Sequence, residues 1–279
     1  MKLMSKILST TPDPGSLAVW GLGQMGVLLK TSSGKVILID PVLSNVVAER
    51  TPSMQTEFKR AFPPPILPEE ITFAAYVLCT HEHMDHADPL TLALLAKASP
   101  QAIFITTQFA APILKEAGIT SERILFPPLN QPLVLDGVTL WAIAAAHYER
   151  EIDPRKGARY LSFMLAMDGV HFFHSGDTLL HSDWLADLRR LPHADAAMLA
   201  VNGRDPVREA KGVLGNLMPD EAVGLMAELG WGMLIPGHND LFKWNSISWD
   251  DLLKAAKRST PEVQVKTLPP GGQLQIIGN

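Results

Sequence analysis

The sequence predicts an α/β fold of packed sheets with helices on their outer faces, and three observations carry the prediction. Short apolar runs of strand length recur along the chain, and helical stretches with an apolar stripe stand between them. No solenoid-period repeat and no linker divides the 279 residues, so one domain over 1–279 is expected. The stretch Thr80-His81-Glu82-His83-Met84-Asp85-His86 directly follows the apolar run 74–79, which places it on a turn leaving a buried strand.

The chain opens with strands over 17–20, 27–30 and 36–39 joined by tight turns, the second through Ser32-Ser33-Gly34. Between the first two, Gly21-Leu22-Gly23-Gln24-Met25-Gly26 matches the dinucleotide-binding pattern G-x-G-x-x-G. That reading needs a helix straight after the glycines and a crossover to a parallel strand. Here Val27-Leu28-Leu29-Lys30-Thr31 and a turn follow, so the stretch reads as a hairpin. Residues 42–70, with Pro63-Pro64-Pro65 and Pro68, form a long loop, read either as a lid over a site or as a surface excursion. Beyond the His motif come a helix over 89–98, a strand over 103–105 and a helix over 108–117 ended by Gly118. Strands follow over 124–126, 133–135, 138–146, 160–167 and 170–174, then a helix capped by Ser182 and running to 191. A strand over 196–200, a helix over 219–229, a strand over 233–235, a helix over 249–257 and a strand over 273–277 close the chain.

Composition limits the function classes. At 47% hydrophobic and 19% charged the chain is ordinary for a globular protein, which argues against disorder. A net charge of −5 with no Lys/Arg block offers no basic face to a nucleic acid. The single cysteine, Cys79, rules out an internal disulfide framework, fits a reducing compartment and reads as a buried, inert thiol. The N-terminus is too short and interrupted for a signal peptide, and no apolar run approaches the roughly 18 to 20 residues of a membrane span. A soluble cytoplasmic protein without a membrane partner is expected; self-association into a homo-oligomer is left open.

Three imidazoles and two carboxylates fall between His81 and His86, a ligand set suited to zinc, manganese or iron. His81 and His83, two apart in an extended segment, can share one metal. Asp85 and His86, where the chain turns into a helix, can face a second. A surface histidine cluster is the competing explanation. Three further ligand-type residues end later apolar strands: His147, Asp177 in His174-Ser175-Gly176-Asp177-Thr178, and His238 in Ile235-Pro236-Gly237-His238. Strand ends are where α/β folds place their sites.

The His-x-His-x-Asp-His motif, a later His, Ser-Gly-Asp and a final Gly-His resemble the metallo-β-lactamase fold superfamily. More narrowly, Trp20-Gly21-Leu22-Gly23-Gln24-Met25-Gly26, Phe173-His174-Ser175-Gly176-Asp177 and Pro236-Gly237-His238-Asn239-Asp240 resemble its L-ascorbate-6-phosphate lactonase-like branch. The chain differs from that branch at His147 and in the short segment 148–157. The resemblance implies a four-layer αβ/βα sandwich with two divalent metal ions, Mn2+ or Zn2+, at the sheet edges. It implies His81, His83 and His147 on the first metal, Asp85, His86 and His238 on the second, and Asp177 bridging. A carboxylate between two dications offsets their repulsion, and such a pair acidifies a shared water toward neutral pH. Asp85 and Asp177 are the expected catalytic carboxylates, Asp85 as a candidate proton shuttle.

Several residues keep two readings. Arg204 and Arg208, after a buried strand, are a clamp for a substrate phosphate or carboxylate, or a solvated loop with local ion pairs. Gln24 is a substrate or metal-water contact, or a turn residue. Asp40 orients a ligand histidine or caps the turn before Pro41. His174 supports the site or packs; Trp244 is core or a pocket wall. The implied activity is hydrolysis of a lactone or other ester in a small anionic metabolite. Phosphodiester hydrolysis and, further off, an iron sulfur dioxygenase are the alternatives.

Overall fold

The computed structural model describes residues 2–259 and 261–278. After helix α1 (Leu3–Ser9), the first sheet begins with β1 (Ser16–Gly23), β2 (Gly26–Lys30) and β3 (Val36–Ile39) as an antiparallel meander. Helix α2 (Val46–Arg50) follows, and then β4 (Ala74–Leu78), α3 (Pro89–Ala98), β5 (Ile103–Ile105), α4 (Ala111–Glu116) and β6 (Ile124–Leu125). Strands β3 to β6 pair in parallel.

The second sheet repeats the plan. Strands β7 (Pro132–Leu135) and β8 (Val138–Ala144) are antiparallel, and a hairpin of β9 (Ile152–Asp153) and β10 (Gly157–Ala158) precedes β11 (Leu161–Met167) and β12 (Val170–His174). Helix α5 (Ser182–Leu188), strand β13 (Ala196–Ala200), helices α6 (Pro206–Ala210) and α7 (Pro219–Leu229), and strand β14 (Met233–Gly237) come next. Helix α8 (Trp249–Arg258) and β15 (Gln264–Val265) complete that half, with β12 to β15 parallel. Strand β16 (Gln273–Ile277) returns to the first sheet beside β1.

Period-two alternation assigns the strand faces. Leu17 and Val19 of β1 meet Leu140 and Phe163 of the second sheet in the central core. Ala18 and Trp20, pointing the other way, pack with Leu92 and Leu95 of α3. On the far side, Phe173 and Leu199 pack with Trp184 of α5 and Met226 of α7. Both sheets are thus covered on both faces, which accounts for their nearly unbroken apolar strands. The result is the four-layer sandwich, and its parallel strands aim their carboxyl ends at one edge.

The glycine-rich stretch is a hairpin, as its short following run predicts: β1 and β2 pair antiparallel around it. Other boundaries differ from the sequence reading. Helix α4 starts at Ala111 rather than 108, because Thr107 Oγ1 accepts from Ala110 N–H and holds a turn there. The cap of α5 is His181, whose ring accepts from Asp183 N–H, and the helix stops at Leu188 instead of 191. Strand β8 ends at Ala144, two residues early, since Ala146 N–H is taken by Thr178 Oγ1. Residues 42–70 carry α2 and short 3-10 turns rather than open loop. Among the described residues no helix is long and apolar enough to cross a membrane.

Helix α1 is seven residues long, too short to be stable by itself. Lys30 Nζ fastens it, donating to the carbonyls of Ile7 at 2.7 Å and Thr10 at 2.7 Å at its C-terminal end. Replacing Lys30 by Met should lower unfolding stability by about 1.5–3 kcal/mol, as loss of hydrogen bonds from a charged group does. Urea denaturation of both proteins measures it, and an unchanged midpoint would dismiss the anchor.

Candidate metal centre

The centre starts from two neighbouring strand ends. Asp40, after β3, is fully buried at φ 46°, and its carboxylate accepts from Thr80 N–H at 2.8 Å and Thr80 Oγ1 at 2.7 Å. It also faces His86 Nδ1 at 2.7 Å, which fixes that nitrogen as the protonated one. Since Thr80 Oγ1 donates to Asp40, its lone pair faces His81 Nδ1 at 3.0 Å. Both rings therefore present Nε2 to the interior of the site. His86 N–H and Ala87 N–H donate to His83 O, curling the motif toward α3, whose N-cap Asp88 accepts from Leu90 and Thr91 N–H.

The second sheet supplies the rest. Leu161 N–H donates to Thr80 O, joining the sheets beside the site. A side chain at Gly176 would place Cβ 2.5 Å from Leu161 O, so only glycine lets the Asp177 loop come this close. His174 holds that loop: its Nε2–H donates to Met25 O at 2.8 Å, and its Nδ1 accepts from Gly176 N–H. Gln24, Asp40 and His238 are three of the five non-glycine residues with positive φ among those described, and all three stand here. Such strain collects where surrounding structure fixes a working geometry.

All seven sequence-proposed ligands come together. His81, His83 and His147 make one triad and Asp85, His86 and His238 another, each with donor atoms within 4.8 Å of one another. Asp177 stands between them, 3.2 Å from both His86 Nε2 and His238 Nε2 and 3.7 Å from His147 Nε2. His81 Nε2 is buried without a hydrogen-bond partner, and His86 Nε2 and Asp177 Oδ1, buried and 3.2 Å apart, form no well-directed hydrogen bond. Buried polar atoms are costly when unpaired, so convergent donors left this way fit a cation. The donor set is imidazole and carboxylate, as zinc or manganese accepts.

The electrostatics divide the histidines. Burial, reinforced by His86 and His83, holds His81 well below its usual pKa despite Asp177. Burial likewise takes His147 down to about 4. At His86 burial is outweighed by Asp177, Asp85 and Asp40, and at His238 by Asp177 and Asp85, which lift it to about 9. Burial would raise Asp85 and Asp177, yet those imidazoles hold both below the carboxylate range. Cys79, deep in the sheet, is raised by burial and is no ligand.

Above the donors lies a cavity of about 300 Å³, walled by Val47, Phe58, Met84, Tyr148, Leu214 and Asn245. Residues 42–70 thus supply part of its wall. The sequence reading missed Tyr148, Asn245 and Phe58; Tyr148 alone carried a signal, as the neighbour of a strand-end ligand. The structure sets the three expected substrate contacts against groups of the protein itself. Gln24 is buried and donates from Nε2 to Asp85 Oδ2 at 2.8 Å, with His238 Nε2 3.0 Å away, so its side chain is spent on the donor cluster. Arg204 spends its fork on Glu221 Oε1 and Oε2 of α7. Arg208 is buried against Asp205 and Asn245 Oδ1, behind the wall rather than in it. Trp244 walls a neighbouring cleft.

A model of the β-lactamase superfamily domain matches residues 35–239. The chain belongs to the metallo-β-lactamase superfamily. It is 28% identical over 262 residues to a "UPF0173 metal-dependent hydrolase" of Methanosphaerula palustris, covering 91% of this chain and 97% of that one. A "probable L-ascorbate-6-phosphate lactonase" of Salmonella gallinarum is 22% identical over 265 residues, covering 85% of this chain and 73% of that protein. The solved structure of Igni18, a metallo hydrolase from Ignicoccus hospitalis, superposes with a TM-score of 0.70 at 18% identity, over 95% of this chain and all of that one. This superfamily member therefore has relatives and structural neighbours named as metal-dependent hydrolases.

Because Asp40 sets the tautomer of His86 and, through Thr80, that of His81, Asp40→Asn should weaken metal binding about 10- to 100-fold. Elemental analysis after dialysis against a metal buffer reads the loss. Retained metal at wild-type affinity would mean the ligands orient themselves.

Proposed function

We propose that this superfamily chain hydrolyses a lactone or other ester of a small anionic metabolite, using two divalent cations, Mn2+ or Zn2+. The observation that carries the reading is seven convergent donors, three with buried atoms in no well-directed hydrogen bond, beneath a cavity beside a cationic cleft. His81, His83 and His147 would hold one cation, Asp85, His86 and His238 the other, with Asp177 shared. When bound, the pair supplies an acidified water and a Lewis acid for the oxygen under attack.

The chain's own groups then take separate roles. Asp177, only 4% exposed, is committed among three histidines. The Asp85 side chain is 19% exposed and lines the cavity, so it is the carboxylate placed to pass a proton to a leaving group. Gln24 steadies its Oδ2. The apolar wall of Phe58, Met84 and Leu214 shields the reacting bond from bulk water.

The anionic class rests on the neighbouring cleft of about 590 Å³, lined by Lys59, Arg60, Lys211 and Lys243 with Glu57 and Trp244. Lys211 pairs with Glu57 at 2.8 Å and lies over the Trp244 ring at 5.2 Å. In a chain of net charge −5, four cations against one carboxylate make a local positive field beside the donors. Sequence-adjacent residues face the two cavities: Phe58 and Lys59, Gly212 and Lys211, Asn245 and Trp244.

The direct test is ring opening of L-ascorbate 6-phosphate by the manganese- or zinc-loaded protein, with Asp177→Asn as control. Turnover is expected, and the variant should lose more than the roughly 10- to 100-fold that removal of a supporting partner costs. Metal-replete protein that leaves the lactone intact but cleaves phosphodiesters would replace this reading with the phosphodiesterase one. For an accepted anionic substrate, the Lys59→Ala/Lys243→Ala double variant should raise KM roughly three- to tenfold with kcat nearly unchanged. The difference should shrink in high salt; a salt-independent effect, or one confined to kcat, would remove the cleft from recognition.

A further inference from the structure

We infer that Asn245 directs its amide N–H2 into the metal pocket as a hydrogen-bond donor for an oxygen of the substrate, held in that orientation by Arg208 and Asn202. The inference rests on the hydrolase reading in placing a substrate oxygen there.

An amide can usually be turned either way, but here a relay of groups removes the choice. The backbone N–H of Asn216, which can only donate, bonds to Asn202 Oδ1 at 3.1 Å. That sets the Asn202 amide, so its Nδ2 is the atom donating to Asn245 Oδ1 at 2.9 Å. Arg208 Nη1, also a donor without an acceptor face, reaches the same Oδ1 at 2.6 Å. Two donors converge on one atom, and that atom must be the carbonyl oxygen.

Arg208 is itself immobilised. It is 4% exposed, and its Nε is paired with Asp205, the N-cap of α6, which also accepts from Val207 and Arg208 N–H. With Oδ1 doubly occupied, Asn245 Nδ2 finds no acceptor among the described residues, yet it is not a sealed atom. The residue is only 5% exposed and lines the same cavity as Asp85, His147, Asp177 and His238. Its open side is therefore the pocket. A neutral, rigid donor suits an oxygen that carries or develops negative charge, because nothing must reorganise when the charge appears. Arg208 acts through Asn245 and is a positioning residue; its charge polarises the amide without entering the pocket.

The test is isothermal titration of the metal-loaded full chain with inorganic phosphate, an oxyanion small enough for the cavity. Asn245→Asp keeps an oxygen for Asn202 and Arg208, and hence the fold, while replacing the donor with an acceptor. It should weaken phosphate binding at least tenfold at unchanged metal content and melting temperature, as loss of a bond to a charged group does. Asn245→Ala should lose about ten- to hundredfold, and Arg208→Met less than either, with Arg208→Lys recovering part of that loss. Phosphate affinity equal to wild type in the two Asn245 variants, or no phosphate binding by metal-replete wild type, overturns the inference. The measurement needs no turnover, so failure of the lactone assay leaves it standing or falling separately.

Discussion

The Asp40 carboxylate accepts two hydrogen bonds from Thr80 and faces His86 Nδ1 where β3 and β4 end. The strand pairing brings it there: Asp40 N–H donates to Leu78 O, so the two strand ends are locked side by side before any side chain is placed. A buried carboxylate is expensive unless its lone pairs are satisfied, and here the satisfying groups are those that orient His81 and His86. The same contacts that make Asp40 tolerable in the core thus choose which nitrogen each ring shows to the site. The left-handed backbone at Asp40 is part of that bargain, held by surrounding pairing that leaves it no alternative.

Charge balance follows from the same frame. Asp40, Asp85 and Asp177 converge on five imidazoles, and among the described residues no lysine or arginine lines the pocket itself. Besides the neutral donors Thr80 and Gln24, these carboxylates are met by imidazoles that borrow a proton: burial opposes charge on His86 and His238, and the carboxylates overcome it. Cations seated among the donors would displace those protons, so metal uptake, proton release and stability are linked quantities in this fold. Asp240, next but one to His238, reinforces the frame from behind by accepting from Gln24 N–H at 2.8 Å; burial raises its own pKa.

How much of this was legible in the sequence depends on whether the deciding neighbour is local. The donors could be read because four crowd the turn after one apolar strand and His147, Asp177 and His238 each follow another. The structure makes 81–86 a bend and turn rather than an extended segment, and His81 and His83 still come together. The hairpin at 21–26 could be read because the chain after it is too short for a helix. Arg204 and Arg208 kept two readings because leaving a strand says nothing about which partner claims the side chain. Glu221, at the start of α7, takes the first fork, and Asp205 with Asn245 takes the second. Gln24 was placed on the right turn, but its side chain is taken by the Asp85 carboxylate, a contact set across 61 residues of chain. Helix α1 left no pattern, since what stabilises it is Lys30 from β2.

The pocket is built from two kinds of structure with different freedoms. Its floor stands on strand ends whose spacing is imposed by sheet pairing, by glycine at 176 and by the bond from Leu161 to Thr80. Its walls come from the short helix, 3-10 turn and loops between strands that carry Val47, Asn245, Phe58 and Leu214, which answer to side-chain packing rather than to a ladder. Loops of this sort can change shape and charge without disturbing the elements they connect. The floor alone therefore determines which bond-breaking chemistry is available, and the walls determine which molecule reaches it. That separation explains why the donor pattern identifies a superfamily so readily, while substrate identity has to be argued from the cationic cleft and from the few wall groups held rigid enough to recognise anything.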